Sequence, residues 1–119
     1  MKMAREAKQN DFTVDVESVG TFTFGRRTMR DEIKIQVEFA RIIDGVKPTE
    51  WLSVVADWLS TLRVMTVRAP EGWDMNDLDP LDPETYVKLR EVFNALATKE
   101  LSFRSGHGMG SEAGGKTEA

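Results

Sequence analysis

Cysteine is absent from the 119 residues, which removes disulfides, thiolate zinc sites and cysteine nucleophiles together. Histidine occurs once, as His107 in the glycine-rich stretch SGHGMG. A single imidazole with no placed partners makes neither a metal site nor a nucleophile–base pair. No apolar run approaches the length of a membrane span. The opening MKMAREAKQND carries charges but no apolar h-region, so it does not read as a secretory signal. Basic charge is in the minority, with 16 Lys and Arg against 20 Asp and Glu and a net charge of −4. The chain as a whole therefore offers nucleic acid no electrostatic footprint. Carboxylate pairs stay open, since spacing in sequence does not report distance in a fold, but no catalytic motif holds them and no cofactor or metal is expected; the lack of cysteine suits a reducing cytoplasm. Hydrophobic residues at 40% and charged residues at 30% describe an ordinary globular composition, and the length suits one domain.

Residues 1–10 mix Lys2, Arg5 and Lys8 with small polar residues and read as a frayed arm. In DFTVDVESVGTFTF, Phe12, Val14 and Val16 alternate with Thr13 and Asp15, and Phe22 and Phe24 alternate with Thr21 and Thr23. Period-2 alternation on both sides of Glu17-Ser18-Val19-Gly20 predicts a hairpin over 11–25, with Gly20 free to take φ > 0. The period then changes. Thr28 stands three residues before Asp31, an N-cap with acids in the first turn of a helix over about 29–44 that Gly45 closes. That helix carries two apolar stripes, Ile33, Val37, Ala40 and Ile43 on one side and Ile35, Phe39 and Ile42 on another. So much apolar circumference implies either the central helix of the fold or a face that meets another subunit. Thr49 caps a second helix over about 50–68, with Trp51, Val54, Val55, Trp58, Leu59, Leu62 and Met65 on one face and Pro70 beyond its end. Asp82-Pro83-Glu84 starts a third helix over about 83–103, with Tyr86, Leu89, Phe93, Leu96 and Ala97 along one face. Residues 105–119 hold five glycines and no aromatic and read as a disordered tail. The expectation is a single α+β domain over 11–104, an N-terminal hairpin packed on a bundle of three main α-helices.

Three stretches invite chemistry. GSEAGGKT at 110–117 fits the phosphate-loop pattern in spelling, but RSGHGM before it is no strand and two residues after it cannot make a helix. It is not expected to bind nucleotide. The stretch EGWDMNDLDPLD at 71–82 carries five acids and no base, yet an EF-hand reading from Asp74 puts Leu78 and Asp79 where an acid and a glycine are needed. It is either a solvated connector whose Trp73, Met75, Leu78 and Leu81 tuck back, or an acidic-apolar contact for a partner. In FGRRTMRDE, Arg26, Arg27 and Arg30 surround a helix start, where the macrodipole disfavours positive charge. Either Asp31 and Glu32 neutralise them, or they form a basic patch for an acidic surface, such as the 71–82 loop of a neighbouring subunit.

The run GTFTFGRRTMRDEIKIQVEFARIIDGV, then PTEWLSVVADWLSTLRVMTV, then APEGWD and DPLDPETYVKLREVF, resembles the tail assembly chaperones of long-tailed (siphovirus) bacteriophages and prophages, functional counterparts of phage lambda's G protein. The likeness covers about residues 11–104. It implies a non-enzymatic protein of the infected bacterial cytoplasm that binds the tape-measure protein, keeps it soluble, helps recruit tail-tube subunits and is missing from the mature virion. It also implies a −1 ribosomal frameshift whose longer product contacts the tail-tube protein, with Gly115-Lys116 the candidate slip site. A minor structural tail protein of the connector or terminator type, retained in the particle, is the alternative. For a tail chaperone, Ile35, Phe39 and Ile42 are expected to serve self-association or client contact. Arg26, Arg27 and Arg30 would give electrostatic help, and Trp73, Met75 and Leu78 would lie in an adaptable loop.

Overall fold

Alternation in the first strands is carried into the structure, a computed structural model that describes residues 5–75 and 77–108, the last four of these by backbone alone. Strand β1 (Phe12–Val16) pairs antiparallel with β2 (Gly20–Phe24), setting Phe12 against Phe24, Val14 against Phe22 and Val16 against Gly20. One face is therefore apolar and the other carries Thr13, Asp15, Thr21 and Thr23. On that outer face the Thr21 hydroxyl donates to Asp15 Oδ1 at 2.6 Å, a cross-strand bond that helps fix the register.

Helix α1 (Met29–Ile43) follows, then α2 (Glu50–Met65) and α3 (Pro83–Gly108). Each start is capped as its sequence suggests: Thr28 Oγ1 accepts from Asp31 N, Thr49 Oγ1 from Leu52 N, and Asp82 Oδ1 from Glu84 N. Helix α1 ends on Asp44 in the left-handed region, followed by Gly45 at φ 78°.

The fold is α+β, and it contains a strand that the sequence reading did not include. The second helix stops at Met65, not near 68, and Thr66–Arg68 forms β3, which pairs antiparallel with β2 to give the order β1-β2-β3. Gly25 N donates to Met65 O at 3.0 Å, and the register runs Thr23 to Arg68 and Phe24 to Thr66 across an irregularity. β-Branched Thr66 and Val67 suit a strand, and the free backbone groups of β2 supply a ladder partner that the helical pattern could not reveal. Val67 continues the buried sequence of Leu62 and Met65, so burial alone reads as more helix. Helix α3 is described as far as Gly108, beyond the expected end near 103. The stretch 109–119, including GSEAGGKT, lies outside the described residues.

The core sits where the apolar sheet face meets α2 and α3. Val16, Phe22 and Phe24 from the hairpin pack with Val55, Leu62 and Met65 of α2 and Leu89, Val92 and Leu96 of α3. Phe22 and Phe24 stack at 5.6 Å, and Phe103 closes edge-on against Phe12 at 5.0 Å. Phe22 and Phe24 are fully buried, and each contributes on the order of 1.5–3 kcal/mol. Helix α1 packs chiefly on α2 and adds Ile35 to this core. That position leaves much of its circumference uncovered.

Candidate protein-interaction surface

The uncovered part of α1 is not the part expected from sequence. Ile35 is 4% exposed and belongs to the core, and Phe39 and Ile42 on the same stripe are half-buried. The opposite stripe faces outward: Met29 is 76% exposed, Ile33 63% and Val37 63%, with Ala40 also exposed. Ile35 therefore cannot be a contact residue of the folded chain, and its stripe holds α1 to the domain. The two stripes are equally helical in spacing, and only the position of α2 decides which is covered. Met29, Ile33, Val37 and Ala40 fall within about one quarter of the helix circumference at 100° per residue, and Arg30, Lys34 and Arg41 lie along one edge of that row. A row of large apolar side chains left in water along a helix marks a binding surface.

The three arginines separate into three environments. Arg27 is a clasp: its Nε and Nη2 donate to Glu100 at 3.0 and 2.9 Å, and its Nη1 donates to Glu32 at 2.7 Å. This forked pair joins the start of α1 to the last turns of α3 and is worth about 1 kcal/mol at such partial exposure. Arg26 lies over the Phe103 ring at 4.1 Å from its centroid, a cation–π contact. Arg30 is exposed and makes no ion pair among the described residues. Of the three expected contact residues, Arg30 is the one left available.

The N-terminal arm contributes what sequence reasoning missed. Arg5 Nη1 pairs with Asp31 Oδ1 at 3.2 Å and reaches Val64 O at 3.5 Å, so the arm is tied across α1 and α2 rather than frayed at that point. Asp31 also accepts from Thr28 N at 2.9 Å, completing the capping box. Burial penalises the Asp31 charge, but the Thr28 amide and the Arg5 guanidinium outweigh it and hold the carboxyl below the usual carboxylate range. A folded-state pKa below the unfolded one gives stability that is full above the unfolded value and is lost as pH falls through the folded one. Asp31→Asn is expected to cost about 1–2 kcal/mol at neutral pH, with a shallower loss of stability below about pH 4. Urea midpoints across pH measure both, and parallel acid limbs for the two proteins would refute the linkage.

Arg5, Lys8, Arg26, Arg30, Lys34 and Arg63 line one groove of about 810 Å³, with Glu6 and Asp31 as its acids. Arg63 is committed to Glu38 at 2.7 Å. Across the molecule, Glu50, Trp51, Val54, Trp58 and Tyr86 line a shallow groove of about 420 Å³, where the Trp51 and Tyr86 rings meet edge-on at 6.0 Å.

The 71–82 loop packs as a connector. Trp73, Met75 and Leu78 are half-buried against the core, with Trp73 edge-on to Phe22 at 5.5 Å. They are occupied within the chain. Leu81 does not tuck back and is 89% exposed, beside the exposed Asp79 and Asp82. Among the described residues no group of His, Asp and Glu could hold a metal ion. Neither a protein-family model, nor a curated protein, nor a solved structure matches this chain.

Proposed function

We propose that this chain is a phage tail assembly chaperone. It binds the tape-measure protein and keeps it soluble in the cytoplasm of the infected bacterium, helps recruit tail-tube subunits, and is left behind when the virion is complete. A longer frameshifted product carries the contact to the tail-tube protein. The reading rests on the resemblance of residues 11–104 to that family. The observation that supports it is the outward row Met29, Ile33, Val37 on α1, edged by Arg30 and Lys34. A tape-measure chain before assembly is long, amphipathic and insoluble without cover, and an apolar row with a basic edge suits its repeated apolar stripes. Many weak contacts of this kind along one client add up by multivalency.

Co-expression with the tape-measure protein of the same gene cluster tests the proposal. The client is expected in the soluble fraction with this chain and in the pellet without it, and equal solubility in both would refute the role. Mass spectrometry of purified virions separates the structural alternative, because a chaperone leaves no copies in the particle.

A further inference from the structure

The seam between α2 and α3 is apolar on its floor and acidic on one wall. Trp51, Val54, Val55 and Trp58 follow the i, i+3, i+4, i+7 spacing of one helix face, and with Tyr86 and Glu50 they line the shallow groove of about 420 Å³. Ring contacts set its two ends: Trp51 meets Tyr86 at 6.0 Å, and Trp58 meets Phe93 at 6.5 Å. Each pair of rings is seven residues on from the other, so α2 and α3 run side by side in the same direction along the groove. Val55 is buried, and Trp58 and Tyr86 are half-buried against the core, so the fold fixes the floor. Trp51 and Val54 instead stay 57% and 42% exposed. An indole left mostly in water beside a formed aromatic wall is a large apolar area still to be covered.

The charges beside this floor are unequal. Glu50 and Asp57 are both exposed and stand on the same side of α2, about 10 Å apart along its axis. Neither makes an ion pair among the described residues. Although Asp57 touches water, partial burial of its carboxyl lifts it above the usual carboxylate range, and the Arg27 charge offsets this only in part. Arg27 itself is committed to Glu100 and Glu32. A carboxylate in that condition gains from a cation brought to it. The α3 wall carries one base, Arg90, a turn beyond Tyr86, and it too is without an ion pair among the described residues.

We propose that this seam is a second docking surface, and that its occupant is an amphipathic helix of a partner protein with Lys or Arg along the flank that meets α2. Charge complementarity selects that occupant. The apolar stripe of the incoming helix lies against Trp51, Val54 and Tyr86, a third helix laid into the groove between two. Its bases reach Glu50 and Asp57 and pass over the exposed Trp51 ring, where a cation is further attracted by the indole face. The outward row of α1 has the opposite character, because Arg30 and Lys34 edge it. The two surfaces therefore sort partner helices by the sign of their flanking charge. The seam keeps this preference whatever covers the α1 row, so it stands apart from the tape-measure reading.

Three labelled model peptides of equal length test this by fluorescence anisotropy against the full chain: a Leu/Lys amphipathic helix, a Leu/Glu amphipathic helix, and the Leu/Lys composition scrambled to abolish the stripe. The Leu/Lys helix is expected to bind about tenfold or more tighter than its scrambled form, which carries the same charge, and to shift tryptophan emission to the blue. Trp51→Ala should weaken it by roughly thirtyfold. Glu50→Lys with Asp57→Lys should weaken it by about tenfold and turn the seam toward the Leu/Glu helix. The milder pair Glu50→Gln with Asp57→Asn should lose less, in the same direction, and Arg90→Glu should strengthen Leu/Lys binding by about twofold to fivefold. All four positions are exposed, and urea midpoints close to wild type show that each variant is folded. A Leu/Lys helix that binds no better than its scrambled form overturns the proposal. So does one that binds Trp51→Ala and the double reversal as it binds wild type. Self-association that Trp51→Ala abolishes in sedimentation velocity would put a second copy of this chain in the seam, and would overturn it too.

Discussion

Ile35→Ala is expected to destabilise the fold by about 2–5 kcal/mol, while Ile33→Ala, two residues away on the same helix, should shift stability by less than about 0.5 kcal/mol. The chemistry of the two substitutions is identical, so the difference isolates position. Ile35 is 4% exposed and packs in the core, and its truncation leaves a cavity that the surrounding core fills only in part. Ile33 is 63% exposed, and alanine there loses little packing and gains helix propensity. Total stabilities of domains this size run to about 5–15 kcal/mol, so the first variant loses a large fraction. Urea midpoints compare them directly. Equal midpoints would mean that α1 is rotated relative to the arrangement described, and the outward row would then be a different set of residues.

Gly20→Ala carries the second large effect. Gly20 has φ 143°, which side-chain-bearing residues rarely adopt, and holding a non-glycine residue in such a region costs about 1–3 kcal/mol. An added Cβ would also lie 2.7 Å from Pro70 Cγ and 2.8 Å from Pro70 Cβ. A proline ring cannot swing aside as a flexible side chain would, so the clash adds to the strain. Adding Pro70→Ala to Gly20→Ala is expected to recover the steric part and leave the backbone part, a coupling that a double-mutant cycle reads. A Gly20→Ala midpoint equal to wild type would show that the hairpin turn and the segment after β3 are not in contact.

These two positions also mark what was legible in the sequence and what was not. The hairpin, the three helix starts and the apolar identity of the core follow from period and capping, because Thr28, Thr49 and Asp82 each place a side-chain oxygen on an otherwise unpaired amide. Gly20 was recognisable as a turn glycine, but its approach to Pro70 joins residues far apart in the chain. Strand β3 was hidden because three residues are too few to show a period, and the clear stop signal after the helix, Pro70, lies beyond it. The two stripes of α1 were visible, but not that the domain covers Ile35, because a helical wheel shows which residues share a face and not which face has a neighbour. Arg26 and Arg27 looked like a surface patch for the same reason. Arg26 finds Phe103 and Arg27 finds Glu100, each more than seventy residues away in sequence, while Glu32 neutralises Arg27 locally, as the other reading of these arginines expected.

The candidate interaction surface depends on which face of α1 the domain leaves uncovered. It places the exposed apolar area on Met29, Ile33 and Val37, with Arg30 and Lys34 beside them. The most direct measurement is the soluble yield of the tape-measure protein co-expressed with wild-type chain or with the Ile33→Ser, Val37→Ser variant, whose own melting should be close to wild type. The account predicts that the variant stays folded and soluble while the client falls to the level seen with no chaperone at all. A client equally soluble with the variant and with wild type would contradict it.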